Sequence, residues 1–401
     1  MYLTGLLHRD ELCDITLRWL HDDCRPDDGR RLTEIFLYES AVASPTSQEF
    51  MLGFLSRLYG EGLSVERLTF KHRLRERLLA CVPIETVRMR ELRERYEARP
   101  EEYFPRLPVD AVLLFAPARG LVAISRIKRP QRAAEKAAYR MADALAGAIR
   151  REAEVFAAQR ARERGVDSLT KLTSSEVEMK EDFIRAEAQV AEGFRHGRIH
   201  LDREALVIND IVGFKVIGDE DELARAEAVL AEIPNATVVE RQEHRGHYNA
   251  INLLVDLQLA PVPQIVDEGR KMDWSIAGLR GLVPDTARRN FADYVESGAR
   301  TIRTEVVLTN FPELIESEFG RSLHELRILR LRERQPYAGQ IAENARYLIE
   351  FLFTVAYSPQ THIDELPIKM WGRYLPDTLI TATRALYGIR SDGVLLRSLF
   401  V

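Results

Sequence analysis

Cysteine is scarce in this sequence, and its thiols form no recognisable motif. Cys13, Cys24 and Cys81 are the only cysteines among 401 residues, and no two of them are spaced as a CxxC pair. Zinc ribbons and dithiol redox sites need such pairs, so both classes are disfavoured. A small, odd number of cysteines is typical of a reducing compartment, and we predict a cytoplasmic protein.

Long apolar runs are also missing. A membrane-spanning helix needs roughly 18 consecutive apolar residues, and the sequence contains no such run. The first residues, MYLTGLLHRDELCD, lack the basic segment and apolar core of a signal peptide. We therefore predict no contact with a membrane.

Neither sign of charge dominates. With 57 basic and 62 acidic side chains the formal net charge is -5, which gives the chain as a whole no attraction to nucleic acid. The glycine-rich signatures GxGxxG and GxxxxGK[ST] are absent, which disfavours Rossmann and P-loop nucleotide binding. Local basic clusters must therefore be judged one at a time.

Helical periodicity marks both ends of the chain. Apolar residues spaced by three and four predict helices in residues 47–59, 65–80 and 341–356. We assign residues 1–107 to a helical N-terminal region and residues 331–401 to a helical C-terminal region. Either region could be regulatory, could join copies of the chain into a homo-oligomer, or could merely support the fold.

Residues 108–330 have a different pattern, in which short apolar runs are bounded by turn residues. The predicted strands cover residues 110–115, 120–125, 205–217, 236–240, 251–256 and 304–308. They are separated by helical segments of unequal length, the longest at 131–164. This irregular alternation favours an α+β fold with a mixed sheet over a doubly wound sheet.

Two acidic residues interrupt apolar segments of the predicted sheet. Asp210 lies in VINDIVGFKVI and Glu305 lies in TEVVL. Aspartate is disfavoured in strands, so Asp210 is explained either by a turn or by a metal site, and Glu305 by a solvent-facing position or by the same metal. Mg²⁺ that binds phosphates needs only one or two carboxylates. If the two strands are neighbours, both side chains could hold one magnesium ion.

A basic cluster follows the predicted strand GLVAIS and opens the long helix. Its members are Arg126, Lys128, Arg129, Arg132 and Lys136. Cations near a helix N-terminus suit a polyphosphate, because the backbone N–H groups there add to the positive field. A solvated basic helix face is the alternative. A second basic set, at residues 171–180, could serve instead of the first.

The segment GHYNAIN, residues 246–252, leads directly into a predicted strand. A tyrosine at the mouth of a strand, here Tyr248, can stack on a nucleobase. The alternative is that its ring is half-buried packing.

In this order, the four segments resemble the synthetase domain of the RelA/SpoT family of alarmone synthetases. Arg126, Lys128 and Lys136 keep the spacing of the family's basic RxKxxxSxxxK element. Residues 210–215 are similar to the family's DIxGxR strand, with Lys215 in place of the arginine.

The other two motifs match in part. GHYNAIN is similar to the family's GYxSxH loop at Tyr248, whereas Ala250 and Asn252 replace the serine and the histidine. The family's ExQ strand is matched at Glu305, with Val307 in place of the glutamine. The resemblance covers about half of the chain.

The resemblance implies a nucleotidyltransferase-like core with long helical insertions that transfers pyrophosphate from ATP to the 3′-hydroxyl of GDP or GTP. By resemblance, Asp210 and Glu305 hold Mg²⁺ on the phosphates, and Glu305 also takes the proton of the attacking hydroxyl. The nucleotide-binding residues would be Arg126, Lys128, Lys136 and Lys215 for the donor, and Tyr248 and Asn252 for the acceptor.

The altered GHYNAIN segment leaves two other functions open. One is a toxin-like relative that pyrophosphorylates tRNA or another nucleotide. The other is a degenerate domain that binds a nucleotide or a partner protein, although two acids in apolar strands favour an enzyme. A hydrolase half would need a metal-binding His…His-Asp set, and the N-terminal region offers only His8 and His21–Asp22.

Overall fold

The structure is a computed structural model that describes residues 1–117, 119–167, 172, 174–246, 249–321, 323, 325–326, 329–330, 339–375 and 377–389. The strands are β1 (Tyr2–Leu3), β2 (Ser64–Phe70), β3 (Pro108–Ala116), β4 (Gly120–Ile127), β5 (Val207–Ile208), β6 (Val212–Ile217), β7 (Ala236–His244), β8 (Ala250–Gln258) and β9 (Thr301–Thr309).

The helices are α1 (Arg9–Leu20), α2 (Asp28–Tyr59), α3 (Lys71–Ala80), α4 (Val87–Ala98), α5 (Pro130–Glu163), α6 (Glu176–Arg195), α7 (Glu220–Ala231), α8 (Val262–Arg270), α9 (Ser275–Leu279), α10 (Pro284–Ser297), α11 (Phe311–Phe319), α12 (Gln340–Tyr357) and α13 (Asp377–Leu386). Among the described helices, none combines the length and the apolar character needed to cross a bilayer.

Seven strands form one sheet in the order β2-β3-β4-β6-β9-β8-β7. Strands β6 and β9 are parallel, and the other neighbouring pairs are antiparallel. The parallel pair requires a crossover, which helices α7 to α10 and the hairpin of β7 and β8 supply. The predicted α+β class with a mixed sheet is confirmed.

Side chains of the sheet alternate between two apolar layers. In β3, Val112 and Leu114 pack into the larger core, which also contains residues of α2 and α5. Their neighbours Ala111 and Leu113 belong to a smaller core with residues of α3, α4 and α11. This period of two is the geometry of a strand buried on both faces. The sheet is thus the middle layer between two sets of helices.

The helix predicted over residues 65–80 is wrong in its first half. Ser64–Phe70 is an edge strand that pairs antiparallel with β3, and only Lys71–Ala80 is helical. The apolar spacing in this segment fits a helix, but the strand is stabilised by backbone hydrogen bonds to β3. Because β3 lies far along the chain, pairing with it cannot be predicted from the local spacing of apolar residues.

The carboxyl group of Glu39 ties α2 to the N-terminus and to α10. Its Oε1 accepts hydrogen bonds from the backbone N–H groups of Leu7 and His8, and from the hydroxyl of Tyr294 at 2.6 Å. Its Oε2 is buried and has no partner among the described residues. Burial, opposed by these hydrogen bonds, raises the pKa of Glu39 to about 7.

We expect Glu39 to make the protein less stable at high pH. Its folded-state pKa lies above that of the unfolded chain, so the stabilising proton is present at low pH and is lost as the pH rises through about 7. This rise in the pKa of Glu39 corresponds to a loss of about 3 kcal/mol in the free energy of unfolding between low and high pH. Urea denaturation at several pH values measures this loss. Glu39→Gln should lack this part of the pH dependence, and an unchanged profile in the variant would contradict the assignment.

Candidate active site

A cavity of about 350 Å³ lies beside β4, β6 and β9. It brings together residues that are far apart in the sequence. Six of the eight site residues that the resemblance implies line it: Arg126, Lys128, Asp210, Lys215, Asn252 and Glu305. The cavity therefore contains both acids and most of the cations that the motifs predict as one site.

The parallel pairing of β6 and β9 places the two acids together. Gly213 is the register partner of Glu305, and Asp210 precedes β6 by two residues. A Cβ atom on Gly213 would lie 3.1 Å from the carbonyl oxygen of Glu305 and 3.5 Å from its Cβ. The glycine therefore leaves the space that the Glu305 side chain uses at the cavity.

Two lysines neutralise Asp210. The Nζ atoms of Lys128 and Lys136 lie 2.5 Å and 2.7 Å from its Oδ2. The backbone N–H of Lys128 also donates to the carbonyl of Ile211 at 2.8 Å, which holds the end of β4 next to Asp210. Burial alone would raise the pKa of Asp210, but the two ammonium groups outweigh burial and lower it to about 2. Asp210 is therefore ionised at any physiological pH.

The pKa of Glu305 is shifted in the opposite direction from that of Asp210. Its Oε1 accepts a hydrogen bond from Nδ2 of Asn252 at 3.1 Å. Burial and the negative charge of Asp210 raise the pKa of Glu305, although Lys128, Lys136 and Lys215 act in the other direction. Two neighbouring carboxyls with pKa values shifted apart are typical of sites that use one as a fixed charge and the other as a base.

Two more cations line the cavity from β4 and β6. Burial, together with the nearby positive charge of Arg126, lowers the pKa of Lys215 to about 8, although Glu318 and Glu305 act in the other direction. The Nζ of Lys215 donates to the hydroxyl of Ser317 at 3.3 Å. The guanidinium of Arg126 donates to Oε1 of Glu318 at 2.6 Å. These contacts orient both cations toward the same space.

The oxygen atoms of the site fit a hard divalent cation. Oδ1 of Asp210 and Oδ1 of Asn252 are buried and lack hydrogen-bond partners within the described part of the chain. The described residues contain no group of three or more His, Cys, Asp or Glu side chains suited to a metal. A metal here would thus keep most of its positions for water and phosphate oxygens, which is the coordination that Mg²⁺ prefers.

A buried charge network behind the cavity was missed in the sequence. Lys71 Nζ lies 3.0 Å from Oε1 of Glu325 and 3.5 Å from Oε2 of Glu318. Arg75, on the same helix, lies 3.3 Å from Oε2 of Glu325 and donates to the carbonyl of Glu318 at 3.1 Å. Lys71, Glu318 and Glu325 also line the cavity.

The segment KHRLRERLLA gave little sign of this network, because charged residues on a helix are usually solvated. The sequence does contain one indication of burial. Lys71 and Arg75 are spaced so that they share a helix side with the buried Leu74 and Leu78.

The other predicted residues lie elsewhere. Tyr248 falls outside the described residues, as does Lys171 of the second basic set. Ser175 caps α6, and Lys180 is exposed on that helix and does not line the cavity. Of the two basic sets, residues 126–136 are the ones that lie beside Asp210.

The histidines considered for a hydrolase are separated. A ring nitrogen of His8 contacts the carbonyl of Tyr294 at 2.8 Å, and a ring nitrogen of His21 contacts the carbonyl of Phe194 at 3.2 Å. The structure does not bring them together as a metal site.

Comparisons with known proteins found similar solved structures, whereas no family model and no curated protein matches the chain. The small alarmone synthetase 1 from Bacillus subtilis is 17% identical over 41% of this chain and 69% of its own, with a TM-score of 0.21. A GTP pyrophosphokinase family protein from Streptococcus pneumoniae is 12% identical over 53% of this chain and 86% of its own, also at 0.21.

The Bacillus synthetase bound to its product pppGpp is 16% identical over 41% of this chain and 70% of its own, with a TM-score of 0.20. The chain is thus similar to solved structures of alarmone synthetases, the kind of protein that its motifs resemble.

Proposed function

We propose that the protein transfers the pyrophosphoryl group of ATP to the 3′-hydroxyl of a guanine nucleotide, with Mg²⁺ as the cofactor. The observation that most supports this function is the content of the 350 Å³ cavity. Its walls include the carboxylates of Asp210 and Glu305, whose pKa values are shifted in opposite directions, and the cations of Arg126, Lys128 and Lys215. These five residues come from segments that resemble the motifs of one family of pyrophosphoryl transferases.

The cations suit the donor phosphates. Transfer of a phosphoryl or pyrophosphoryl group depends on positioning and on neutralising the charge that develops on oxygen. Lys128 and Lys215 line the cavity, Lys136 pairs with Asp210 at its wall, and these lysines supply this charge. Asp210 and Glu305 would hold Mg²⁺, which when bound supplies further positive charge for the phosphate oxygens.

Glu305 would act as the general base. The 3′-oxygen of the acceptor forms a bond to the β-phosphorus of ATP, the bond from that phosphorus to the α–β bridging oxygen breaks, and AMP leaves. The proton of the 3′-hydroxyl passes to the Glu305 carboxylate, which lines the cavity near Asp210. Asn252 holds this carboxylate through its hydrogen bond to Oε1.

The test is an assay with ATP radiolabelled at the γ-phosphate, together with GDP or GTP and Mg²⁺, resolved by thin-layer chromatography. We expect a labelled guanine nucleotide from the wild type. Glu305→Gln should make it at least about 100-fold more slowly, since the base is lost but the size is kept. The exposed Glu243→Gln is the matched control and should retain wild-type activity.

Label found on tRNA and not on GDP or GTP would show a different acceptor on the same site. A folded protein that labels none of these acceptors would refute pyrophosphoryl transfer to them.

A further inference from the structure

A second cavity, of about 700 Å³, adjoins the first. The two share three lining residues, Arg129, Arg132 and Glu325. Its volume lies within the range of small-molecule sites in proteins. A ligand longer than either cavity could therefore extend from one into the other.

Aromatic rings line the second cavity. Its rings are those of Phe104, Phe353, Tyr357 and Tyr387. Three of them belong to α12 or follow α13, so the C-terminal region that the family resemblance does not cover supplies most of this wall. Phe353 is buried and the guanidinium of Arg280 lies over the ring of Tyr357, whereas the ring of Tyr387 is exposed. Tyr387 therefore offers a stacking surface for a nucleobase, whatever the identity of the base.

Arginine side chains lie where the cavities meet. Arg129 is the N-cap residue of α5 and is half-buried, and its guanidinium forms no salt bridge with any described residue. Burial lowers its pKa while Glu325 acts in the other direction, but a guanidinium keeps its charge at neutral pH. Arg132 is paired with Glu135. The junction therefore offers the guanidinium of Arg129 to an anion.

We infer that the second cavity binds the base of a purine nucleotide whose phosphates pass Arg129 toward the cation-lined cavity. The inference rests on the proposed function for the identity of the nucleotide, which is either the donor ATP or the guanine acceptor. Both have the required chemistry, a flat base joined to a polyphosphate. The aromatic wall and the arginine junction do not depend on which of the two it is.

The test uses two variants of the full chain and isothermal titration with ATP and with GDP separately. Tyr387→Ala removes a ring that is 49% exposed, so little packing is lost. Thr354→Trp fills the cavity from α12 with a bulky side chain. Tyr347→Ala, on the same helix but away from the cavity, is the control. We expect Tyr387→Ala to weaken binding of one nucleotide about tenfold, and Thr354→Trp to weaken it more.

Weaker ATP binding in both variants would assign the cavity to the donor base, and weaker GDP binding would assign it to the acceptor base. Unchanged affinities for both nucleotides in both variants would overturn the inference. The result of these titrations can be distinguished from the result of the transfer assay. If wild type makes no pyrophosphorylated product but the variants lose nucleotide affinity, the base site stands and only the proposed reaction fails.

Discussion

Asp210→Asn is expected to reduce kcat/KM for pyrophosphoryl transfer by at least about a thousandfold. The substitution keeps the size of the side chain but removes the negative charge that neutralises Lys128 and Lys136. It also removes a carboxylate oxygen from the proposed magnesium site. Because the two lysines remain, we expect ATP to bind still and the chemical step to be lost.

The rate is measured with labelled ATP over a range of Mg²⁺ concentrations, and the fold is checked by circular dichroism. Asp110→Asn is the matched control, since Asp110 lies in neighbouring β3 and pairs with the exposed Arg67 at 2.9 Å. It should leave the rate unchanged. If Asp210→Asn kept more than about a tenth of the wild-type rate, the assignment of Asp210 as a metal ligand would be contradicted.

Arg75→Met is expected to destabilise the protein by about 3–5 kcal/mol. The Arg75 side chain is 0% exposed and donates to the backbone carbonyls of Glu318 and Tyr103 and to the carboxylate of Glu325. Removing it takes a donor away from each of the two carbonyls and weakens the neutralisation of a buried carboxylate. The network also holds Glu318, the partner of Arg126. Activity should therefore fall along with stability.

Urea denaturation measures the loss. Arg77→Met is the control, because Arg77 lies on the same helix, is 40% exposed and pairs with Glu66. It should cost no more than about 1 kcal/mol. Adding Glu325→Leu to Arg75→Met should recover part of the stability, since the buried carboxylate is then gone. A loss below about 1 kcal/mol in Arg75→Met would mean that the network contributes little to the fold.

The local spacing of apolar residues was sufficient to predict several strands of the sheet and the longest helices. The runs DAVLLF and GLVAIS predict strands, and the structure has them as the antiparallel pair β3 and β4. The helices predicted at 131–164 and 341–356 correspond to α5 and α12. These segments carry their own periodicity, because each buries a continuous face and needs no particular partner to show it.

The candidate site could be anticipated in part. The order of the motifs singled out Asp210, Glu305 and the cations Arg126, Lys128 and Lys136 from the sequence. Their roles stay predictions, but the structure places the first four in the wall of one cavity and pairs Lys136 with Asp210.

What the sequence by itself determined is therefore the class of fold, most of its strands and helices, and a set of candidate residues for the site. Only the tertiary structure decided that Ser64–Phe70 is an edge strand, that Lys71, Arg75, Glu318 and Glu325 form a buried network, and that C-terminal aromatic rings adjoin the site. The reason is physical. Periodicity reports which face of an element is apolar, whereas strand pairing, charge burial and cavities depend on partners that lie far away along the chain.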